Sequence, residues 1–415
     1  MRDFADDHYS ERLTKMARRS TDRGQRNGMT PRTIIGVILL LIAVVGYYWL
    51  NNSSVAPTPA TTDPTARSAS HSSTLPTGVA PNAQGGSDTA QIRIFFTTPS
   101  LVYPDRPAER TIKPYEQAII DDIDAAKKRV DVAVYEYNLE SVGAALLRAK
   151  KRGVTVRLAL DRENLDDEAM AAWAGKMEQA KIPITWEASD AFMHSKFIVI
   201  DGTIVWTGSW NATNNDTYRN NNNLLRITAP LLVANYQTEF AQFAKSLFGT
   251  KKQQLTPNPK VKVGSIPLEN YFLPKDGAEE RIVARLKAAK QSIRFLAFSY
   301  TSDAIGQAMI DARKAGLTVA GVFESRNANG TGSEYAALRS NDVDVHEDGN
   351  CYTMHHKVII IDERTVITGS YNFTRRAEET NDENLLIIDD AQIAQLYLEE
   401  FMRVYQQALQ PTRCG

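Results

Sequence analysis

The chain has 415 residues, more than one ordinary core holds and enough for two domains with extra segments. Its 48 Lys and Arg face 49 Asp and Glu, a net charge of −1. No long-range field therefore favours an anionic polymer, which argues against a general nucleic-acid binder but leaves room for a local basic groove. Hydrophobic residues make up 43% and charged residues 23%, as in ordinary globular proteins.

Residues 1–32 carry eight Lys/Arg, among them Arg18, Arg19, Arg23, Arg26 and Arg32, and read as a basic tail. Residues 33–50, TIIGVILLLIAVVGYYWL, contain no charge. At about 1.5 Å per residue this run nearly spans a hydrocarbon core. Tyr47, Tyr48 and Trp49 gather at one end, where amphipathic rings favour the interface. The long segment before the run, and no small-x-small site after it, favour a retained anchor over a cleaved signal peptide. Residues 51–90 carry only Arg67, so the positive-inside rule puts the amino end in the cytoplasm and the rest on the periplasmic or extracellular side. Those same residues are nearly all Ser, Thr, Pro, Ala, Gly and Asn, a composition that reads as a flexible linker. The expectation is a single-pass membrane protein inserted by residues 33–50.

From residue 91 the patterns alternate between strand and helix. RVDVAVYEY at 129–137 reads as a buried strand, 139–152 as a helix closed by Gly153, and VTVRLAL at 154–160 as the next strand. SIRFLAFSY at 292–300, a helix pattern, Gly316 and LTVAGV repeat the arrangement, with Tyr137/Tyr300 and Gly153/Gly316 both offset by 163. Two copies of one α/β unit are expected, at 91–249 and 266–410, with a Pro- and Lys-rich join at 250–265. A long helix pattern at 230–247 closes the first copy.

A second repeat carries the chemistry. His194, Lys196, Asp201, Gly208, Ser209 and Asn211 fit H-x-K-x4-D-x6-G-S-x-N, and His355, Lys357, Asp362, Gly369, Ser370 and Asn372 fit it again at a constant offset of 161. On a strand, His194 and Lys196 share a face. IVWTGS then reads as the adjacent strand, ending in a tight turn. Two lysines with Ser209, Asn211, Ser370 and Asn372 as donors suit the spread negative charge of a phosphodiester transition state. Two imidazoles allow one neutral His to attack phosphorus while the other, protonated, serves the leaving alcohol. The lysines take the charge-stabilising role that a metal has elsewhere, so neither metal nor cofactor is expected. His356 should face away and His346 should lie on the surface. Trp206 and Trp210 read more simply as core than as groove lining. Residues 161–168 read as a solvated loop and helix start. Arg375 and Arg376 either grip a phosphate or are solvated. Cys351 and Cys414 have no metal-ligand spacing and read as two unpaired thiols, a disulfide being the alternative in an exported protein.

These residues resemble the H-K-D signature of the phospholipase D superfamily, over nearly all of 91–410. The resemblance implies an α/β protein of two pseudo-symmetric α-β-α sandwich domains with mixed sheets, the site lying at their pseudo-twofold interface. It implies a metal-independent phosphodiesterase with one nucleophilic His, most often that of the amino-terminal copy, here His194. It makes Asp201 and Asp362 structural, and gives Glu383 of TNDENLLII the task of orienting an imidazole. The first copy departs from the pattern: RNNNNLLRI places Asn222 at the matching position, so the two histidines should be unequal. The residues leave open which His Glu383 serves. Phospholipase D-type hydrolysis of phospholipid headgroups through a phospho-histidine is the leading expectation. A membrane-tethered endonuclease and a cardiolipin synthase-like phosphatidyltransferase are the alternatives. The implied partner is therefore a phospholipid or nucleic-acid substrate, with no obligate protein partner.

Overall fold

The computed structural model describes residues 91–98, 100–411 and 414. The basic tail, the apolar run 33–50 and the linker 51–90 lie outside these residues. Among the described residues no helix is long and apolar enough to cross a membrane.

The first half runs β1 (Ile92–Phe96), α1 (Pro114–Ala125), β2 (Arg129–Val134), α2 (Glu140–Lys151), β3 (Thr155–Asp161), α3 (Glu168–Gln179), β4 (Ile184–Glu187), β5 (Phe197–Ile200), β6 (Ile204–Gly208), α4 (Asn214–Tyr218), β7 (Asn223–Ile227) and α5 (Pro230–Phe243). The second runs β8 (Lys260–Val263), β9 (Ile266–Leu273), α6 (Glu279–Ala288), β10 (Ser292–Ala297), α7 (Asp303–Lys314), β11 (Thr318–Phe323), α8 (Ser325–Ala328), α9 (Tyr335–Ser340), β12 (Asp344–Glu347), β13 (Lys357–Ile361), β14 (Thr365–Gly369), α10 (Arg375–Glu379), β15 (Glu383–Asp389) and α11 (Ala391–Leu409). Local chemistry accounts for the boundaries. Gly153 and Gly316, at φ 88° and 91°, end α2 and α7 in the left-handed region that favours glycine. Asp167, Ser302 and Asp390 accept from backbone N–H groups at the starts of α3, α7 and α11.

The first sheet has the order β1-β7-β6-β5-β2-β3-β4 and the second β12-β11-β10-β13-β14-β15-β9-β8. In each, three consecutive strands are parallel and the rest antiparallel, which is the mixed α/β architecture anticipated from the sequence. The join is not wholly a linker: residues 260–263 form β8, which pairs with β9 at the edge of the second sheet.

Helices α5 and α11 supply the shared inner layer. Leu232, Val233, Tyr236, Phe240 and Phe243 of α5, and Ile393, Tyr397, Phe401 and Val404 of α11, belong to one buried cluster with Phe197, Val199, Leu268, Phe272 and Ile388. That spacing is the apolar stripe of an amphipathic helix. The Tyr236 and Phe272 rings meet across the halves at 5.0 Å, and burying each is worth about 2–3 kcal/mol. Separate clusters fill the outer faces. Trp206 and Trp210 are buried in the outer cluster of the first half, so they are core residues.

Cys351 and Cys414 form a disulfide, with Cα atoms 5.6 Å apart, which corrects the reading of two unpaired thiols. Sixty-three positions separate them, and only the return of the chain after α11 brings them together. A Cβ at Gly349 would stand 2.0 Å from the Gln407 carbonyl oxygen, so the last turn of α11 lies directly against the segment that leads to His355.

Candidate active site

The motif Asp and Gly residues build the frame. Asp201 accepts from the N–H groups of Lys127, Lys128 and Arg129 at 2.7–2.8 Å. Asp362 does the same for Lys290, Gln291 and Ser292. Burial raises each carboxyl, but three donors outweigh it and hold both below the usual carboxylate range. They clamp the start of β2 and β10 to the turns after β5 and β13. Gly208 and Gly369 have φ 142° and 150°, and a Cβ there would stand 2.2 and 2.1 Å from the carbonyl oxygens of Asn223 and Asn384. Only glycine admits that approach.

His194 and Lys196 lie in the extended lead-in to β5 rather than on the strand itself, and His355 likewise precedes β13. That lead-in crosses between the halves. Met193 forms a parallel bridge with Asp382, and Asn221 forms one with Met354. His194 Nδ1 is 2.8 Å from the carboxylate oxygens of Glu383 in the other half. His355 Nδ1 is 2.9 Å from Asn222 Oδ1 in the first half. Each imidazole is thus held by the opposite copy, and Glu383 serves His194. Asn222 Nδ2 donates to the Asp216 carbonyl and its Oδ1 accepts from Ser209 Oγ. That fixes the amide with its oxygen toward His355, so His355 donates from Nδ1.

The Ser residues do a different job from the one expected. Ser209 Oγ donates to Asn222 Oδ1 and accepts from Asn223 N; Ser370 Oγ donates to Glu383 Oε2 and accepts from Asn384 N. Their hydroxyl protons are already committed to the residues behind the imidazoles, so neither is a free donor to a phosphate. The Asn211 and Asn372 Nδ2 groups make no hydrogen bond among the described residues and remain available as donors.

Lys196 and Lys357 are 2% and 1% exposed. Each Nζ donates to the carbonyl of the His two residues earlier, at 2.8 Å. Neither is within ion-pair distance of a carboxylate among the described residues. Burial pushes Lys196 down to about 8, with Glu383 and Asp216 opposing. Burial and then the Lys196 charge hold Lys357 well below its usual value. Burial followed by the two ammonium groups holds both imidazoles well below theirs. Burial pushes Glu383 up to about 8 against the pull of Lys196 and Lys357. Positive charge buried at this depth is therefore costly, and an anion between the lysines relieves that cost.

Several contributors escaped sequence reasoning. The Tyr135 and Phe298 rings meet His194 and His355 edge-on at 5.2 and 4.7 Å, and Lys196 and Lys357 sit over the same rings. The 163-residue offset relates Tyr135 to Phe298, so the repeat held the signal. Asn223 Nδ2 donates to Thr368 Oγ1 and Asn384 Nδ2 to Thr207 Oγ1, a reciprocal tie at offset 161. Asp161 is no solvated loop residue. It is buried, accepts from Met193 N at 2.9 Å, and burial pushes it up to about 7. His356 faces away, its Nε2 2.8 Å from Glu400. Arg376 lies over the Phe192 ring and donates to the Asp190 carbonyl, while Arg375 pairs with Glu379 on the surface. Among the described residues no group of three or more His, Cys, Asp or Glu is placed to hold a metal ion.

A family model described as cardiolipin synthase, PLD-like domain, matches this chain twice, over residues 119–244 and 282–405. The chain belongs to the phospholipase D superfamily. A phospholipase D from Rickettsia bellii (strain RML369-C) is 31% identical over 169 residues, 39% of this chain and 84% of the relative. The mitochondrial cardiolipin hydrolase of Homo sapiens is 35% identical over 138 residues, 33% of this chain and 54% of that protein. Among solved structures, the phosphatidylserine synthase of Haemophilus influenzae Rd KW20 matches with a TM-score of 0.54 and 14% identity, covering 71% of this chain and 84% of that one. This likeness speaks to the fold alone. The superfamily is one of phosphodiesterases.

Proposed function

We propose that this phospholipase D-superfamily chain hydrolyses phospholipid headgroup esters through a phospho-histidine. One observation carries the reading: two buried ammonium groups, Lys196 and Lys357, with no carboxylate at ion-pair distance among the described residues, beside two imidazoles held from opposite halves. Such a site is built for an anion flanked by a base and an acid.

His194 is the nucleophile. Its Nδ1 faces the Glu383 carboxylate, which stabilises the positive charge the ring gains as Nε2 bonds to phosphorus. The phosphorus–oxygen bond to the headgroup breaks, and His355 donates its proton to that oxygen. The bound phosphate's negative charge raises the basicity of His355 and so favours the protonated form it needs. Water then gives its proton to His355 and attacks phosphorus, releasing phosphatidate and restoring His194. Lys196, Lys357 and the free amides of Asn211 and Asn372 hold the phosphoryl oxygens throughout. An alcohol in place of water would make the same site a phosphatidyltransferase.

Three observations support a lipid over a nucleic acid. The β1–α1 connection, 97–113, exposes Val102, Tyr103 and Ile112, where the second half has only residues 274–278 between β9 and α6. This connection starts at the site, since Thr97 Oγ1 accepts from Asn222 N, and Asp105 N donates to Tyr352 OH near His355. The curated relatives carry lipid-hydrolase names. The apolar run 33–50 would hold the site beside a bilayer, and the disulfide suits the exported side. The test uses the full chain in detergent with a chelator, offered phosphatidylglycerol, cardiolipin and phosphatidylcholine. Mass spectrometry should find phosphatidate and a free headgroup alcohol. Cleavage of single-stranded DNA or RNA with every lipid intact would replace this reading with the nuclease, and loss of activity in the chelator would remove the metal-free mechanism.

A further inference from the structure

The two halves differ most where they support the imidazoles. The second half has Glu383 at the head of β15 and Ala377 on α10. The first has Asn222 just before β7 and Asp216 on α4, both pairs related by the offset of 161. A carboxylate missing at one position is present at the other. Asp216 is 3% exposed. Its Oδ2 lies 3.6 Å from His355 Nδ1, inside ion-pair reach once that ring is protonated.

The carboxylate is firmly placed. Asn211 N donates to its Oδ2 and Asn220 Nδ2 to its Oδ1, both at 2.7 Å. Its own backbone carbonyl accepts from Asn222 Nδ2 at 3.4 Å, so Asp216 also fixes the amide that orients His355. Both buried lysines feel Asp216 and Glu383 as stabilising negative charges. The site therefore has two counter-charges, one from each half, at non-equivalent positions.

The geometry points to Asp216 as the positioning carboxylate for His355, doing from α4 what Glu383 does for His194 from β15. Asn222 supplies the hydrogen bond and Asp216 the charge, two duties that Glu383 combines. A carboxylate 3.6 Å away favours the protonated imidazole, the form that serves the leaving alcohol. It is set back behind an amide, so it does not hold the proton as tightly as a direct pair would. Asp216 touches no reacting atom; it acts through His355. This inference rests on the phosphodiesterase reading but not on the choice of lipid.

The test compares wild type, Asp216→Asn, Asn222→Glu and the double variant Asp216→Asn/Asn222→Glu in the full chain. Asp216→Asn keeps an oxygen for Asn211 N and sets its NH2 against Asn220, whose side-chain amide must turn its oxygen inward; thermal melting checks that the fold survives the loss of charge. Two leaving groups separate acid catalysis from general damage: a nitrophenyl diester, whose alcohol departs without a proton, and whichever of phosphatidylglycerol or a dinucleotide the wild type cleaves, whose alkoxide needs one. Asp216→Asn should lower kcat/KM about tenfold or more on the alkyl diester and less than about threefold on the nitrophenyl diester. The alkaline limb of the alkyl profile should move to lower pH, because His355 loses its proton more easily. The double variant, which gives the first half a carboxylate where the second has Glu383, should recover most of the loss. Equal losses on both substrates, an unmoved alkaline limb, or no recovery in the double variant overturns the role of Asp216. A wild type inactive on every diester overturns the phosphodiesterase reading and this inference with it.

Discussion

The first and second halves share every residue of the H-x-K-x4-D-x6-G-S-x-N frame, yet they do not share the groups behind the imidazoles. Both have the three-donor Asp clamp, the glycine pressed against a carbonyl, the Ser that bonds a supporting side chain, and the buried Lys. Only the second gives a carboxylate directly to its partner's His; the first gives an amide. The difference teaches that duplication fixes geometry while later divergence sets chemistry. Equivalent frames present each ring to a support from the opposite half, and the unequal supports suit the proposed division into nucleophile and acid.

The sharpest way to break this comparison is to remove each ring. His194→Asn and His355→Asn should each lower turnover by about 10⁴-fold, since residues acting as a unit are grossly non-additive. The two should differ in the trapped species. With His355→Asn, mass spectrometry should find a slowly hydrolysed phosphoryl adduct on His194; with His194→Asn, no adduct. An adduct on His355 would reverse the assignment.

The frame should respond symmetrically. Gly208→Ala and Gly369→Ala each drive a methyl into a carbonyl at 2.2 and 2.1 Å, and each should cost about 3 kcal/mol in denaturant unfolding. A large cost in one half only would show that the frames are not equivalent. The disulfide, in contrast, braces only the second half's approach to the site. Reducing it, across a separation of 63 residues, should lower stability by about 4 kcal/mol, with His355 more affected than His194 as read by imidazole NMR.

Unequal support predicts unequal losses. Glu383→Gln should lower kcat/KM by about 10²-fold and Asn222→Ala by about tenfold, as expected for groups that orient a reacting imidazole. Equal losses would erase the distinction between the halves. The smallest effect is on pH dependence. Unfolded, the Glu383 carboxyl titrates near 4.5 and the His194 imidazole near 6.5; folded, burial raises Glu383 to about 8 and holds His194 well below its usual value. Between those unfolded values both states hold one proton on the pair, so its contribution is flat. As pH rises above 6.5 the unfolded chain sheds that proton while the native pair keeps it, and stability is lost through about 8. As pH falls below 4.5 the unfolded chain takes a second proton, and stability is lost again. Unfolding midpoints at mildly acidic and alkaline pH should differ by under about 2 kcal/mol from this source, and Glu383→Gln should remove the alkaline loss.

The sequence by itself determined the repeat, the α/β class and the two sets of motif residues, because periodicity and fixed offsets are written locally along the chain. The glycine turns could be anticipated for the same reason, whereas a structural role for Asp201 and Asp362 came from the family resemblance and their three-donor clamp only from the structure. What needed the tertiary structure were relations between distant segments. These include Glu383 reaching His194 rather than His355, Asp216 standing behind His355, Asp161 buried under Met193, and Cys351 meeting Cys414. Ser209 and Ser370 looked like phosphate donors because a hydroxyl's partner is invisible until the opposing side chain is placed. These contacts span from 13 residues, for Ser209 with Asn222, to 189, for His194 with Glu383. Which partner a side chain meets depends on how two sheets pack across a shared helical layer, and no local pattern encodes that.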